Sequence, residues 1–474
     1  MSQAAPPNRL RELREAAGMS QQEVADAITT RSGGQVSTTA GTVSRWERGV
    51  APLPLFRRAL ADVFGVKVAQ LGIPSAPLPR QRSSAEDEWF MGDEQDPRVQ
   101  ASQDEWRRVR RLLNANRHAL AQTSAGLYGS TAVTSTGLIA GPGWIPDAPV
   151  DLADVTIAEL PDAAPPLCDG SEREAARVLP DETLMRTYPR YTRAIRDLMP
   201  PRLFEDRHAW RLLDVDWSQQ RIGFGDTTYF GCADVFEAVA HELAYVALDA
   251  DGLPASAPAL RDLPYRRLVG SPFDLSRRPV MPAISTLTIR RDGDRAEFLM
   301  HRRDPRAVTA AGGMLQVIPS GIFQPSSLLP AARAADFDLW RNIQREFSEE
   351  LLGLAEADGH GQPVDYGSGP FAVLDEARAS GRLRVHCLGV ALDALTLVGE
   401  ILTVLVVDAD VFDSLAADFV DRNDEGQVVA ERFPFTEDGV RSLLDSGKVA
   451  PAGAGCLELA WQWRHVLLPS DGSS

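Results

Sequence analysis

Residues 20–49 decide the fold of the N-terminal region. The stretch reads S-Q-Q-E-V-A-D-A-I from Ser20 to Ile28 and, after a loop, T-A-G-T-V-S-R-W-E-R-G from Thr39 to Gly49. Ser20 and Glu23 stand three residues apart in the capping-box pattern, in which each side chain can bind a free backbone N–H at a helix start. The pattern therefore predicts a short helix that begins at about Gln21.

A second helix is predicted after the loop. Val43 and Trp46 are three residues apart, so they face inward together on a helix and leave Thr42 and Arg45 turned outward. The two predicted helices form a pair with one exposed face. Further helices are expected on both sides of the pair, from Arg9 to Ala17 with Gly18 as its end, and around Phe56, Leu60 and Val63.

These residues resemble the Cro/C1-type (XRE) family of helix-turn-helix regulators from Asn8 to about Gly72. The matching residues are Arg9-x-x-x-x-Arg14-x-x-x-Gly18-x-Ser20-Gln21 and Ser44-x-Trp46-Glu47-x-Gly49. The resemblance implies an all-α DNA-binding bundle in residues 1–74, whose recognition helix lies in the major groove of double-stranded DNA. It also implies that Arg14 pairs with Glu47. The candidate DNA contacts are Gln21, Gln22, Arg31, Thr39, Ala40, Gly41, Thr42 and Arg45.

The chain departs from that family in two ways. The turn between the paired helices is longer, and Ala40 and Gly41 stand at the base-reading positions. Their side chains carry no donors or acceptors, so direct readout falls largely on Thr42 and Arg45. A bidentate contact from an arginine to guanine favours guanine over the other bases by about 1–3 kcal/mol. We expect the remaining specificity to come from DNA shape, or from Arg31 and Gln35 in the long turn.

Charge separates DNA binding from the alternative, a helical bundle that binds protein. Residues 1–74 contain nine Arg and Lys against six Asp and Glu, which gives a net charge of +3. The whole chain carries −17, so the remaining residues carry −20. Only the N-terminal region can neutralise phosphates, and this favours nucleic acid as its partner.

Length and composition predict a soluble protein of several domains. The 474 residues exceed one ordinary core, and 44% of them are hydrophobic. The sequence contains no apolar run long enough to cross a membrane, and the N-terminal residues lack the pattern of a signal peptide. We therefore expect a cytoplasmic protein with no membrane partner. The four cysteines are far apart and predict neither a disulfide framework nor a zinc site.

Residues 75–97 have the composition of a linker, and residues 98–128 are predicted to form one amphipathic helix. In that long linking helix, apolar spacings of three and four run from Trp106 to Leu127, with Asn116 in the seam. Two interpretations are open. In the first, the helix forms a coiled coil with the same helix of a second copy, which gives a homodimer. In the second, it is an amphipathic helix that packs against its own chain.

Residues 129–282 are predicted to be a middle α+β region. Strands are expected at Trp210–Trp217 and Arg221–Phe230, followed by a helix from Ala233 to Leu248. His241 and Glu242 lie on that helix, but Tyr245 occupies the place of the second histidine of a zincin. We expect His241 to be bonded to a neighbouring loop.

The C-terminal part resembles the Nudix hydrolase fold. A hairpin is expected from Ala283 to Arg303, followed by the turn P-S-G at Pro319–Gly321 and the helix R-E-F-S-E-E at Arg345–Glu350. This order of strand, glycine turn and glutamate helix is similar to that of Nudix hydrolases over residues 283–470. The resemblance implies an α/β/α sandwich with a mixed sheet. The chain as a whole is then a multidomain α+β protein.

The resemblance also implies a cleft for a phosphate-bearing ligand. Arg302, Arg303 and Gly321 would border it, and Arg345 would orient a glutamate. The candidate Mg²⁺ ligands are Glu346, Glu349 and Glu350, and in an active enzyme Glu349 and Glu350 would be catalytic. Glu400 either faces the cleft or is solvated.

Departures from the Nudix pattern favour a Nudix-like domain without hydrolase activity. Ser327 stands where the family has a glutamate, and the helix arginine arrives late in the sequence. The sequence therefore predicts a DNA-binding transcriptional regulator whose Nudix-like domain senses a nucleotide-type or phosphorylated ligand. The alternative is a Mg²⁺-dependent Nudix hydrolase of a nucleoside diphosphate derivative with an appended DNA-binding region.

Overall fold

The chain divides into two compact units, Met1–Asp93 and Glu94–Ser474. The computed structural model describes residues 9–31, 38, 40–47, 54–66, 71, 96–129, 133, 137–160, 163–183, 186–201, 204–249, 251–253, 257–303, 314–354, 363–420 and 426–469. Most of the predicted linker, residues 75–95, lies outside the described residues. Each unit is described by itself below.

The N-terminal unit is a bundle of short helices. They are α1 (Leu10–Ala16), α2 (Gln21–Arg31), α3 (Ala40–Glu47) and α4 (Pro54–Phe64). Leu10, Val24, Ile28, Val43 and Leu60 are fully buried in its core. The apolar side chains are spaced at three and four residues, so each helix turns one stripe inward. The predicted helix pair is thus present as α2 and α3.

The C-terminal unit begins with two helices where the sequence predicted one. These are α5 (Pro97–Ala115) and α6 (Arg117–Gly126), and Asp96 caps α5 by accepting from the Arg98 N–H at 2.8 Å. Asn116 lies between the helices, and its side-chain amide donates to the Leu112 carbonyl. The apolar stripe that was predicted to run along one helix over residues 98–128 is therefore interrupted at Asn116.

Within the described residues of this unit, nine strands form a mixed sheet. Its main path runs β1 (Leu138–Ile139), β10 (Leu383–Asp393), β11 (Gly399–Asp408), β6 (Pro282–Asp292), β7 (Arg295–Arg303) and β12 (Gly426–Pro434). Three more strands attach to this path, β2 (Val150–Asp151) to β10, β8 (Leu315–Val317) to β7 and β9 (Ser320–Ile322) to β6. β6 and β11 are parallel, and the other recorded pairs of this sheet are antiparallel.

A smaller sheet of three strands lies in the predicted middle region. It has the order β3 (Thr156–Glu159), β5 (Arg221–Thr228) and β4 (His208–Asp216). The other α-helices in the described part of the C-terminal unit are α7 (Arg173–Ala176), α8 (Tyr191–Leu198), α9 (Tyr229–Ala247), α10 (Pro264–Val269), α11 (Pro330–Asp336), α12 (Leu339–Glu350), α13 (Gly369–Ala379), α14 (Ala409–Ala416), α15 (Glu437–Asp445), α16 (Pro451–Gln462) and α17 (Arg464–Leu467).

Helices cover both faces of the large sheet. On one face, Ile284, Leu299 and Ile401 join the core that contains Ile343 and Phe347 of α12, and we call this the α12 face. On the other, Leu287, Met300 and Leu402 join the core that contains Cys456 and Leu457 of α16, and this is the α16 face. Neighbouring strand residues point to opposite faces, so Leu299 and Met300 serve different cores.

Residues on both sides of the predicted boundary between residues 282 and 283 lie in one compact unit, Glu94–Ser474. β1 and β2, from the predicted middle region, pair with β10 in the large sheet. In addition, the backbone N–H of Trp210 in β4 donates to the carbonyl of Phe323, just after β9. In the part of the chain that the structure describes, no helix is long and apolar enough to span a membrane.

Candidate nucleic-acid interface and candidate ligand cleft

The start of α2 is held by the capping box that the sequence predicts. The backbone N–H of Glu23 donates to Ser20 Oγ at 3.2 Å, and the N–H of Ser20 donates to Glu23 Oε2 at 2.6 Å. These two bonds lower the pKa of Glu23 below its usual value. The cap fixes where α2 begins.

Glu47 connects three helices of the N-terminal unit. Its carboxylate accepts from Arg14 Nε at 2.5 Å and from Gln21 Nε2 at 2.7 Å, and its side chain is 2% exposed. Burial alone raises the pKa of Glu47, but the bonds from Arg14 and Gln21 outweigh it and lower the pKa. The predicted pairing of Arg14 and Glu47 is present, and it ties α1 and α2 to the end of α3.

Gln21 has a structural contact that the sequence did not indicate. It is one of the candidate DNA contacts, yet one N–H of its side-chain amide is used by Glu47. A side-chain amide carries two N–H donors, so one more can point to a phosphate. Gln22, one residue later, donates to Asp26 on the exposed side of α2 at 2.9 Å.

α3 buries one of its faces in the bundle. Val43 and Trp46 are buried, and the Trp46 ring lies 5.1 Å from the Phe56 ring of α4. Ala40 and Thr42 are partly exposed. Thr39 lies outside the described residues, and for Arg31, Gly41 and Arg45 the structure describes the backbone, in α2 or α3, but not the side chain.

The second candidate site lies where α12 crosses β9. A Cβ atom at Gly321 would overlap the Glu346 carboxyl group, so the end of the Glu346 side chain lies directly against the backbone of Gly321. Beside it, the backbone N–H of Ser320 donates to Glu350 Oε2 at 2.9 Å, and Glu350 is 3% exposed. Two of the three predicted glutamates therefore touch the predicted glycine turn.

His301 belongs to the same cleft, although the sequence did not single it out. Its Nδ1 lies 3.9 Å from Glu350 Oε1, and the imidazole is fully buried on the α12 face. The sequence did contain a signal for this position. His301 comes two residues after Leu299 in a predicted strand, and alternate residues of a strand point to the same face of the sheet.

The structure contradicts the predicted place of Arg302. Arg302 is exposed and follows His301 directly in β7, so it points to the α16 face with Met300, away from Glu350. The side chain of Arg303 is not described. Glu400 shares its face with Leu402, also opposite α12, and accepts from Ser285 Oγ at 3.0 Å.

Arg345 pairs with an aspartate instead of orienting a glutamate. Its Nη1 lies 3.0 Å from Asp336 Oδ1, and both side chains are nearly fully buried. Tyr366 donates to the same Asp336 oxygen at 2.6 Å, and Arg345 also donates to the Gln324 carbonyl at 2.6 Å. This network fixes the loop before α12 to the helix, which is a structural role.

The predicted Mg²⁺ site does not fit the observed arrangement. Among the residues that the structure describes, no three His, Cys, Asp or Glu side chains are grouped to hold a metal ion. Glu346 and Glu349 are partly buried on α12, whereas Glu350 turns toward the Ser320 N–H. A metal needs carboxylates that converge on one point, and the three glutamates of α12 are not such a group.

The predicted surroundings of His241 are also corrected. His241 Nδ1 lies 2.7 Å from the hydroxyl of Tyr191 on α8, so its partner is a helix residue and not a loop. Burial, with a smaller contribution from Arg110, lowers the pKa of His241 to about 3. Glu242 instead accepts the backbone N–H groups of Tyr265 and Arg266 at the start of α10.

Comparison with known proteins identifies one part of the chain. Residues 8–71 match the family model of a helix-turn-helix domain. No curated protein matches the chain. The match covers α1 to α4 and indicates a DNA-binding regulator. It ends before the C-terminal unit, so the resemblance of residues 283–470 to Nudix hydrolases stays a prediction.

Proposed function

We propose that the protein is a sequence-specific transcriptional regulator that binds double-stranded DNA through α2 and α3. The observation that carries this proposal is the match of residues 8–71 to a helix-turn-helix domain. The Glu47 contacts to Arg14 and Gln21 support it, because they hold α3 rigidly against α1 and α2. A rigid support is what a reading helix requires.

Within this proposal, the outward residues of the helix pair contact the duplex. Thr42 and Arg45 read base edges from α3, while Gln21, Gln22 and Arg31 lie on α2 and contact phosphates or the adjacent groove. Thr39, Ala40 and Gly41 stand at or just before the start of α3, where the backbone approaches the DNA. A net charge of +3 on residues 1–74 favours this contact over one with the acidic remainder.

The C-terminal unit is proposed to sense a nucleotide-type or phosphorylated ligand at the cleft of Gly321, His301 and Glu346. Supporting this, the Ser320 N–H bond to Glu350 and the proximity of His301 to Glu350 bring polar groups of the glycine turn, β7 and α12 together. The fit to Mg²⁺ is poor, which favours a sensor over a Mg²⁺-dependent pyrophosphohydrolase. The change in DNA affinity that a ligand causes is limited by the difference between its own affinities for the two states of the protein.

Fluorescence anisotropy on the full-length protein tests DNA binding. The probes are duplexes from the gene's own promoter and a shuffled duplex of equal length, each titrated at several salt concentrations. We expect affinity for the promoter to fall steeply with salt. Arg45→Ala should cost about 1–3 kcal/mol on the promoter and much less on the shuffled duplex.

Arg207→Ala is the matched control. Arg207 is a half-exposed arginine of the other unit, paired with Glu205 at 3.2 Å, so its removal should leave both affinities unchanged. If Arg45→Ala lowered the affinity for both duplexes equally, Arg45 would contact only the phosphate backbone of the DNA. Failure of the full-length protein to bind any promoter fragment at low salt would refute the proposed function.

The enzyme alternative is tested separately, by incubation with Mg²⁺ and a panel of nucleoside diphosphate derivatives. Turnover that disappears in both Glu349→Gln and Glu350→Gln would establish the hydrolase and refute the sensor. Binding without turnover, measured by calorimetry with the same compounds, is the expected result.

A further inference from the structure

A groove of about 510 Å³ opens at the N-terminal end of α12. It is bounded by the loop between β2 and β3, by the start of α12 and by α13. Its apolar walls come from Leu152, Val155, Ile157, Phe337 and Leu339. Small-molecule sites have volumes of roughly 300–1,000 Å³ and predominantly apolar walls with a few polar groups.

Two aspartates of the groove are held in place by groups of α12. Asp338 caps α12, and its Oδ1 accepts the backbone N–H groups of Trp340 and Arg341 at 2.8 and 3.1 Å. Asp375 Oδ1 accepts from Trp340 Nε1 at 2.6 Å and from Gln344 Nε2 at 3.0 Å. Each carboxylate therefore has a fixed position at the groove, with acceptor capacity beyond these bonds.

The cation of the groove is already engaged. The Arg378 guanidinium lies 5.1 Å from the centre of the Trp340 ring, and one of its nitrogens is 4.0 Å from Asp151 Oδ1. The side chain is 25% exposed. Arg378 therefore contributes a cation stacked on an aromatic face, and Asp151 offsets part of its charge.

This charge pattern decides between an anionic and a cationic ligand. Two N–H groups at the start of α12, those of Trp340 and Arg341, are not available to an anion, because Asp338 accepts them. Two lining aspartates outweigh one lining arginine, so the groove is net negative. An ammonium group gains charge-assisted bonds there, and a carboxylate or phosphate is repelled.

We infer that this groove binds a small organic amine, whose ammonium group lies between Asp338 and Asp375 and whose apolar body lies against Val155, Ile157 and Phe337. The inference goes beyond the proposed function, because it concerns a site distinct from both the DNA-binding helices and the cleft at Gly321. It stands or falls independently of them.

Isothermal titration calorimetry on the full-length protein tests the inference with three probes of equal shape. Phenylbutylamine, phenylbutanol and phenylbutanoate differ only in the charge of the end group. The amine should bind, and its affinity should exceed that of the alcohol and of the carboxylate by about tenfold or more, the value of one hydrogen bond to a charged group.

Isosteric variants locate the ammonium site. Asp375→Asn and Asp338→Asn remove charge but keep an acceptor for Trp340 Nε1 and for the helix cap, since asparagine is also a good N-cap. Each should weaken the amine about tenfold. Asp438→Asn, at an exposed position near the start of α15, is the matched control and should leave the affinity unchanged.

Ile157→Trp fills the apolar wall without changing charge and should abolish binding of the amine. Thermal unfolding of each variant shows whether it is folded. Three results would overturn the inference: no binding of the amine by the unmodified protein, equal affinity for amine and alcohol, or full affinity in folded Asp375→Asn and Asp338→Asn.

Discussion

The guanidinium of Arg110 donates to the carboxylate of Glu237 across 2.7 Å, in a place where the two side chains are 3% and 0% exposed. The pair joins α5 to α9, and Arg117 at the start of α6 lies 3.8 Å from the other Glu237 oxygen. Trp106 packs next to it, with its ring 5.4 Å from that of Tyr191. The face of α5 that was predicted to pair two copies is therefore covered by the protein's own chain.

Breaking this pair should destabilise the C-terminal unit strongly. Arg110→Ala leaves the buried Glu237 charge with a single, more distant arginine, and removing one partner of a buried pair costs about 3–5 kcal/mol. Urea unfolding of the full-length protein measures the loss. Arg108→Ala, on the same helix, breaks the half-exposed pair with Glu105 and should cost only about 0–1 kcal/mol. Equal losses in the two variants would contradict the buried charge pair.

His241 should make the stability of the C-terminal unit depend on pH. Its pKa is about 3 in the folded protein against an ordinary 6.5, because it is buried and close to Arg110. Between those values the unfolded chain binds a proton that the folded chain does not, so stability falls as the pH falls from about 6.5 to 3. The slope from this residue is about 1.4 kcal/mol per pH unit.

The measurement is the free energy of unfolding as a function of pH for the unmodified protein and for His241→Gln. The variant should be less stable at neutral pH, since it disturbs the contact with Tyr191, but its pH dependence should be shallower below pH 6.5. Curves of identical slope would show that the imidazole is protonated in the folded state.

Local signals explain what the sequence could predict. The capping box of Ser20 and Glu23 and the spacing of Val43 and Trp46 act within a few residues, and the helix pair follows from them. The hairpin of β6 and β7 could also be predicted from the sequence, because Gly293, at φ +58°, provides the turn between two runs of alternating apolar and polar residues. These elements are placed by interactions between near neighbours in the chain.

Long-range contacts explain what the sequence could not predict. An apolar stripe on α5 has the same spacing whether a second copy or α9 covers it, and Arg110 and Glu237 are 127 positions apart. The face that Arg302 takes depends on the register of β7 in the sheet, which a lone arginine does not reveal. The meeting of Gly321 and Glu346 likewise depends on how α12 crosses β9.

Gly137→Ala should destabilise the C-terminal unit, because Gly137, just before β1, has φ +100° and an added Cβ would lie 2.7 Å from Ala121 Cβ and 2.9 Å from the Ala121 backbone carbon in α6. Overpacking of this kind costs about 1–3 kcal/mol. Gly126→Ala is the matched control, because nothing lies within 4 Å of the added methyl group at the end of α6. That substitution should be neutral or stabilise by about 0.5–1 kcal/mol. Denaturant unfolding distinguishes the two, and an unchanged midpoint for Gly137→Ala would contradict the close approach of Gly137 to α6.

Glu47→Gln should loosen the DNA-binding unit. The substitution keeps an acceptor for Gln21 but removes the negative charge that faces Arg14, a loss of about 1.5–3 kcal/mol for a hydrogen bond between charged groups. Amide hydrogen exchange along α3 in the full-length protein measures the free energy of local opening. Glu15→Gln is the control, since Glu15 is 61% exposed and lies 3.6 Å from the same arginine. It should change the opening energy by about 0–1 kcal/mol.

The same pair predicts how this unit responds to acid. The pKa of folded Glu47 is below its ordinary value of 4.5, because the bonds from Arg14 and Gln21 outweigh burial. Its contribution to stability is therefore complete above pH 4.5 and is lost as the pH falls through the lowered pKa. Protection of α3 in the unmodified protein should decline over that range, while Glu47→Gln should start lower and decline less. Parallel curves for the two proteins would show that Glu47 does not hold α3 through its charge.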